Sequence, residues 1–450
     1  MRGAGFCAEA ALLMETNPKS AAQNPRPLSV LLAALLALTG PSVAQTQQRA
    51  QETPPVRYTL TADPRFSARA GAESLIALHR GSYALTDRFL PPRLFPEDTF
   101  WRKGAGVLYR LGKLWLLEGT FDYTTGVVQH EVFGHGARVR ELDFRTEQYY
   151  IGVLPPYGSG GGFIRYDDQG DASTLESNAV TTGGVTSMQL LASGLRDRGF
   201  LRGRLHYREA GLYLGAFHNF TEYVLSTEEP IAVRGNDIAS FLRRTQWLYD
   251  RAAARGAAGN RLTLDALKRQ VLVNFLDPYQ WYALYTLAVR YAWQGRAALR
   301  VPALHVLGGR YLPSPRLELA PFGRAFALDN LFAHAGRLFG VYGRYGNGPL
   351  GRFWGAGARA KNLARRGAFT LGARLDVWRQ PRLAFGEGAS SPTPPHRLGA
   401  GARLRGSYRL SLAGLPLHLT ATLGYKTRGW VPGQPLRRAP YAAVGLGLVE

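Results

Sequence analysis

Leu415-Pro416-Leu417-His418-Leu419-Thr420-Ala421-Thr422-Leu423-Gly424-Tyr425-Lys426 sets an apolar residue at every odd position and, for the most part, a polar or small one between. Successive side chains of a strand point to opposite faces, so a period of two predicts a half-buried strand about ten residues long. The same alternation holds upstream. Ala402, Leu404, Gly406, Tyr408 and Leu410 alternate with Arg403, Arg405, Ser407 and Arg409, and Leu371, Ala373, Leu375 and Val377 alternate with Thr370, Gly372, Arg374 and Asp376. Similar patterns near 300–307, 315–328, 337–345, 352–363 and 440–449 bring the expected number of strands to about eight.

Before Gly295 the chain reads as helices. A helix is expected from about Asp122 to Arg140, and one opening at Ser173-Thr174-Leu175-Glu176 continues through Gly183-Gly184 to Leu191. Asn236-Asp237 can cap a helix reaching about Arg255, Thr263 another, and a last one runs through Trp281 to Arg290. The glycine-rich stretch from Gly152 to Phe163 predicts a turn. The expected class is therefore α+β, with a mainly helical domain over 45–296 followed by an antiparallel β-barrel over 297–450.

Pro27 to Ala44 is an apolar run after Arg26 that ends in small residues, which predicts a secretory signal over 1–44. The sole cysteine, Cys7, lies in that segment, so the mature chain would form no disulfide and hold no metal through thiolates. Exported strands of this length, separated by Gly, Pro and Asn turns, resemble those of bacterial outer-membrane β-barrels, whose faces meet lipid and lumen in alternation. The resemblance implies a lipid bilayer, the outer membrane, as partner. Trp354, Trp378, Tyr408, Tyr425 and Trp430 fall near strand ends, where an interfacial girdle belongs. Such proteins usually finish on an aromatic residue, whereas this sequence finishes Leu448-Val449-Glu450. A soluble periplasmic barrel or sandwich would show the same alternation.

The formal charge of +23 would suit an anionic partner. Six lysines against 49 arginines look like compositional bias, no nucleic-acid motif accompanies them, and nucleic acid is not an expected partner. The anionic groups of a cell envelope are the more natural match.

The chemistry is expected at Val127-Val128-Gln129-His130-Glu131-Val132-Phe133-Gly134-His135-Gly136. The usual zincin helix spaces its histidines four apart on one face. Here they are five apart, and an ideal α-helix would turn the second away from the first by about 140°. A one-residue π-bulge would bring them back together, and Gly134 has no side chain to resist it. His130 to His135 reads His-Glu-x-x-Gly-His and resembles the motif of the dipeptidyl peptidase III family of zinc peptidases, with Gly136 also fitting. The resemblance implies that His130 and His135 bind Zn2+ and that Glu131 activates the bound water. It covers this stretch alone, not that family's fold, and the family's second motif is not clearly present.

A third ligand is expected from a carboxylate on a following helix. Glu176 is the first so placed, although its spacing from Ser173 also makes a capping box; Glu141, Glu209 and Glu222 compete with it. His206, Glu209, His218 and Glu222 form a second His-acid group, expected as ordinary hydrogen-bonded pairs. Tyr149, Tyr150, Tyr157 or His218 could stabilise an oxyanion. The expected function is hydrolysis of a peptide or protein substrate at the outer envelope, with Glu131 as general base. Two alternatives stand beside it: a non-catalytic outer-membrane pore or assembly factor in which His130, Glu131 and His135 are a structural polar cluster, and a metal site without turnover.

Overall fold

The computed structural model describes residues 56–94, 96–168, 170, 172–228, 235–254, 261–383, 396–412 and 415–449, all within one compact unit, Thr53–Glu450. The expected signal segment and Cys7 lie outside the described residues.

A first strand, β1 (Arg57–Ala62), precedes α1 (Ala68–Phe89), which Ser67 caps by accepting from the Ala70 amide. One long helical run follows: α2 (Phe100–Lys113), a π-helical turn over Leu114–Gly119, α3 (Thr120–His130), a second π-helical turn over Glu131–His135, and α4 (Gly136–Glu141). The glycine-rich stretch joins the hairpin β2 (Arg145–Ile151) and β3 (Gly162–Asp167), as its turn chemistry predicts. Then come α5 (Thr174–Arg202), β4 (Arg204–His206), α6 (Tyr207–Ser226), α7 (Asp237–Ala253), α8 (Leu264–Val271) and α9 (Pro278–Tyr285), the last continuing as a π-helical stretch to Trp293. α5 sits at the centre, with buried residues along its whole length. No helix among the described residues is long and apolar enough to cross a membrane.

From β5 (Ala298–Arg300) the chain is all strand: β6 (Leu304–Val306), β7 (Gly309–Ala320), β8 (Gly323–His334), β9 (Arg337–Gly348), β10 (Gly351–Arg366), β11 (Phe369–Pro381), β12 (His396–Leu412), β13 (Leu415–Lys426) and β14 (Ala439–Val449). β6 to β14 form an antiparallel meander, and β1 adds to β14, giving ten strands in the order β1-β14-β13-β12-β11-β10-β9-β8-β7-β6. Two expectations need correction. The sheet is open, since β1 and β6 are its edges and do not pair, so the structure contains a large antiparallel sheet and not a closed barrel. The single strand expected near 315–328 is two, with a turn at Pro321-Phe322. Leu317 and Leu319 pack against the helices, in a cluster with Ile238, Phe241 and Leu267. Ala325 and Ala327 lie opposite Glu318 and Arg316, on the other face, so the odd-numbered apolar rhythm reads straight through the turn.

The helices and the sheet share a core. Ile76, Leu191, Leu195 and Tyr213 pack with Leu312, Leu331 and Leu338 in one buried cluster. The change at residues 296 and 297 is thus a change of secondary structure within one unit.

The two faces of the sheet differ in chemistry. On the outer face, register pairs bring together Leu404 and Leu423, Tyr408 and Leu419, and Leu419 and Leu446, with Leu60 beside Leu446. These large side chains are exposed, Leu423 by 66% and Leu404 by 55%. The inner face is charged and buried: Arg374 meets Asp376 at 2.8 Å, Arg316 meets Asp329 at 3.0 Å, and Arg359 reaches Asp197 on α5 at 2.9 Å.

Candidate metal centre

The helical run of α3 and α4 is π-helical at Glu131–His135, the one place where the spacing of the histidines requires an extra residue in the turn. The two imidazoles then lie with ring centroids 4.8 Å apart. His130, Glu131 and His135 are all buried, and one potential ligand atom from each lies within 4.8 Å of the others, an arrangement able to hold a metal ion.

Glycines make the space. A side chain at Gly134 would place its Cβ 2.6 Å from the Ser187 Oγ and 2.7 Å from the Gly184 Cα, so α5 can approach the motif helix only because both contact points lack side chains. Gly184 has a second role. A Cβ there would overlap the Nε2 atoms of both His130 and His135, so the hollow in front of the two nitrogens is one that any other residue would fill.

The third group at the hollow is Asp237. Its Oδ2 lies 3.0 Å from the His130 Nε2 and 3.1 Å from the His135 Nε2. Asn236 caps α7 by accepting from the Ala239 amide, which leaves the neighbouring carboxylate free to turn toward the histidines. The His135 Nδ1 lies 2.7 Å from the Val180 carbonyl oxygen, which can only accept, so Nδ1 carries hydrogen and Nε2 faces the hollow. His130 stacks on Tyr223 at 5.5 Å, and its Nδ1 is buried without a hydrogen-bond partner. Burial works against a charge on His135, yet the facing Asp237 carboxylate raises its pKa to about 9. Burial likewise works against the Asp237 charge, but the two imidazoles hold it well below the usual carboxylate range.

The donor set fits a small divalent cation. Tetrahedral zinc sites have metal–ligand bonds of about 2.0–2.2 Å, hence ligand–ligand edges of roughly 3.3–3.5 Å, and the two nitrogen–oxygen separations here are slightly shorter. The set is two imidazoles and one carboxylate with a second carboxylate, Glu131, beside it.

Glu176 does not join this group. It closes the capping box of α5, accepting from the Ser173 amide at 2.9 Å, so the bland reading of its spacing is the one the structure displays. Glu141 pairs with Arg138 at 2.5 Å, Glu209 with Arg202 and, at 2.9 Å, with the Tyr58 hydroxyl, and Glu222 is exposed. His206 stacks on Tyr83 and His218 lies against Phe275, so these two histidines serve separate contacts. The Tyr149 hydroxyl accepts from Arg140 at 2.8 Å, and Tyr150 and Tyr157 are exposed. Sequence reading passed over Asp237 and Tyr223. The signal for Asp237 was its redundancy: Asn236-Asp237 offers two caps where one suffices.

Glu131 faces the hairpin, where a Cβ on Gly162 would come 3.0 Å from its Cγ and 3.3 Å from its Oε1. The hairpin loop is tied to the motif helix by the Gly161 amide, which donates to the Tyr123 hydroxyl at 2.5 Å. No protein family, curated protein or solved structure matches this chain.

Proposed function

We propose that this chain is a zinc-dependent peptidase of a bacterial outer envelope, with His130, His135 and Asp237 as metal ligands and Glu131 as general base. The observation that carries the reading is the hollow at Gly184, where a π-helical turn, two imidazoles and a carboxylate converge. Bound there, zinc would supply Lewis acidity and an acidified water at neutral pH. Val180 fixes the ring of His135 through Nδ1, and Tyr223 holds the plane of His130 by stacking. Glu131, adjacent in sequence to His130 and beside the hollow, takes a proton from the attacking water and returns it to the leaving amine. Gly162, at the start of β3, lets the hairpin backbone pack directly against Glu131.

The envelope location rests on the sheet. An exposed apolar outer face over a charged, buried inner face inverts the arrangement of a water-soluble sheet and suits a lipid-facing wall. In this reading β8 to β14 span the outer membrane and the open sheet is part of a barrel-like wall around α5. The test is hydrolysis of a quenched peptide library by the detergent-solubilised protein. Activity lost on chelation, restored by zinc and at least 10²-fold lower in Glu131→Gln is expected; hydrolysis unchanged in Glu131→Gln would overturn the reading.

A second reading is favoured by one contact. Asp237 already satisfies both Nε2 atoms, so the cluster can stand as a structural ion pair in a non-catalytic outer-membrane protein. Under it, Glu131→Gln and His135→Ala leave function intact and zinc does not bind.

A further inference from the structure

A cavity of about 180 Å³ lies between α1, α5 and the inner face of the sheet, with ten cationic side chains on its walls against four carboxylates. Most of the imbalance gathers at one end. Glu73 on α1 pairs with Arg405, whose Nη1 donates to both carboxylate oxygens at 2.6 Å. Around it stand four guanidinium groups with no carboxylate at ion-pair distance among the described residues. Arg57 donates to the neutral Asn362 and Thr370 side chains at 2.7 Å, and Arg198 donates to the Arg57 and Gly194 carbonyls. Among the described residues Arg69 reaches the Pro432 carbonyl alone, at 3.5 Å, and its Nε is buried there without a partner. Arg403 stands at the end of a cross-strand row in which Arg359, Arg374 and Arg403 are direct register partners. Asp197 and Asp376 neutralise the first two of that row, and among the described residues no carboxylate forms an ion pair with the third.

Like charges directly opposite on a sheet are destabilising, and buried charges are ordinarily paired. A folded chain that gathers unpaired guanidinium groups around a cavity is therefore short of an anion. We propose that this cavity binds a phosphate-type oxyanion, a phosphomonoester or diphosphate group, held by Arg57, Arg69, Arg198 and Arg403. The guanidinium fork matches phosphate oxygens in pairs. A second cavity of about 300 Å³ shares Arg69, Glu73 and Arg403 with the first and is walled elsewhere by Ala137, Pro435, Tyr441 and Ala442. That chamber, adjoining the charged one and mixed in its lining, with Asp63, Arg138 and Glu141 beside the apolar groups, has room for the remainder of a ligand whose phosphate sits among the arginines. The four arginines are not residues of the candidate metal centre, and their assignment does not depend on it, although the second cavity reaches the motif helix at Gly134 and Gly183.

The test is titration calorimetry on the full chain in a nonionic detergent, with inorganic pyrophosphate in one arm and phosphatidic acid in mixed micelles in the other. Saturable binding, weakened at least tenfold in Arg403→Gln and in Arg69→Gln but unchanged in the exposed Arg366→Gln, is expected. Tighter binding of phosphatidic acid would assign a lipid source, and equal binding a free phosphate compound. A second readout guards against loss of fold: without ligand, Arg403→Gln should melt higher than the wild type because like-charge repulsion is relieved, and added pyrophosphate should raise the melting temperature of the wild type and of Arg366→Gln more than that of Arg403→Gln. No binding of either probe to the wild type, or binding unaltered in both interior variants, would overturn the proposal.

Discussion

Helices α6 to α8 and the inner face of the sheet from β9 to β12 differ in what they bury. Around α6 to α8 the buried residues are mainly apolar, as in the cluster of Phe220, Phe241, Leu242 and Leu267, and at the motif helix two imidazoles are balanced against Asp237. The sheet buries Arg344, Arg374, Asp376, Asp329 and Lys426 and exposes Leu404, Leu419, Leu423 and Val444. The comparison teaches that one compact unit holds an apolar helical core beside a sheet whose polarity runs the other way, charged within and apolar without.

The contrast can be broken most forcefully on the outer face. Leu423→Arg should destabilise the protein in liposomes by about 2–4 kcal/mol if that face meets lipid, whereas an arginine on a water-facing strand changes stability by roughly 0.5 kcal/mol or less. Denaturant unfolding from liposomes measures the difference.

Asp237→Ala tests the balanced side. Without the carboxylate, His135 can no longer hold its proton at neutral pH, and the metal-free protein should lose about 2–3 kcal/mol at pH 7. The same substitution should remove metal binding. Gly184→Ala attacks the hollow itself, since its methyl group overlaps both Nε2 atoms; a cost of about 1–3 kcal/mol from overpacking is expected, together with loss of the metal. Calorimetric melting with and without zinc separates the two effects.

The smallest effect concerns His206. Burial pushes its pKa down to about 4, below the ordinary value of about 6.5. Between these values the unfolded chain binds a proton that the folded chain refuses, so stability is full above about pH 6.5 and falls as pH drops toward 4. The partly exposed ring keeps the expected loss to about 1–2 kcal/mol. His206→Gln should flatten that part of the curve of melting temperature against pH.

The same comparison shows what was legible in the sequence. Long strands announce themselves through a period of two, and β10 to β14 were readable because each has one apolar face. β7 was not, since helices cover its outer face and Leu317 and Leu319 keep the rhythm running through the turn. Whether a meander closes depends on how its end strands meet, which no local pattern records. β1, six residues long and some 375 positions from its partner β14, joins the sheet by a contact of that kind. At the candidate metal centre, the convergence of His130, Glu131 and His135 was legible because the π-helical turn and its glycine are local. Asp237, 107 positions from His130, was not, because it also reads as an ordinary helix cap.

The most direct test is the zinc content of the detergent-purified protein, wild type beside His135→Ala, Asp237→Asn and Glu131→Gln. The account predicts one zinc per chain in the wild type and in Glu131→Gln, and none in His135→Ala or Asp237→Asn. A folded, chelator-free wild type without zinc, or zinc retained when both His135 and Asp237 are replaced, would contradict it.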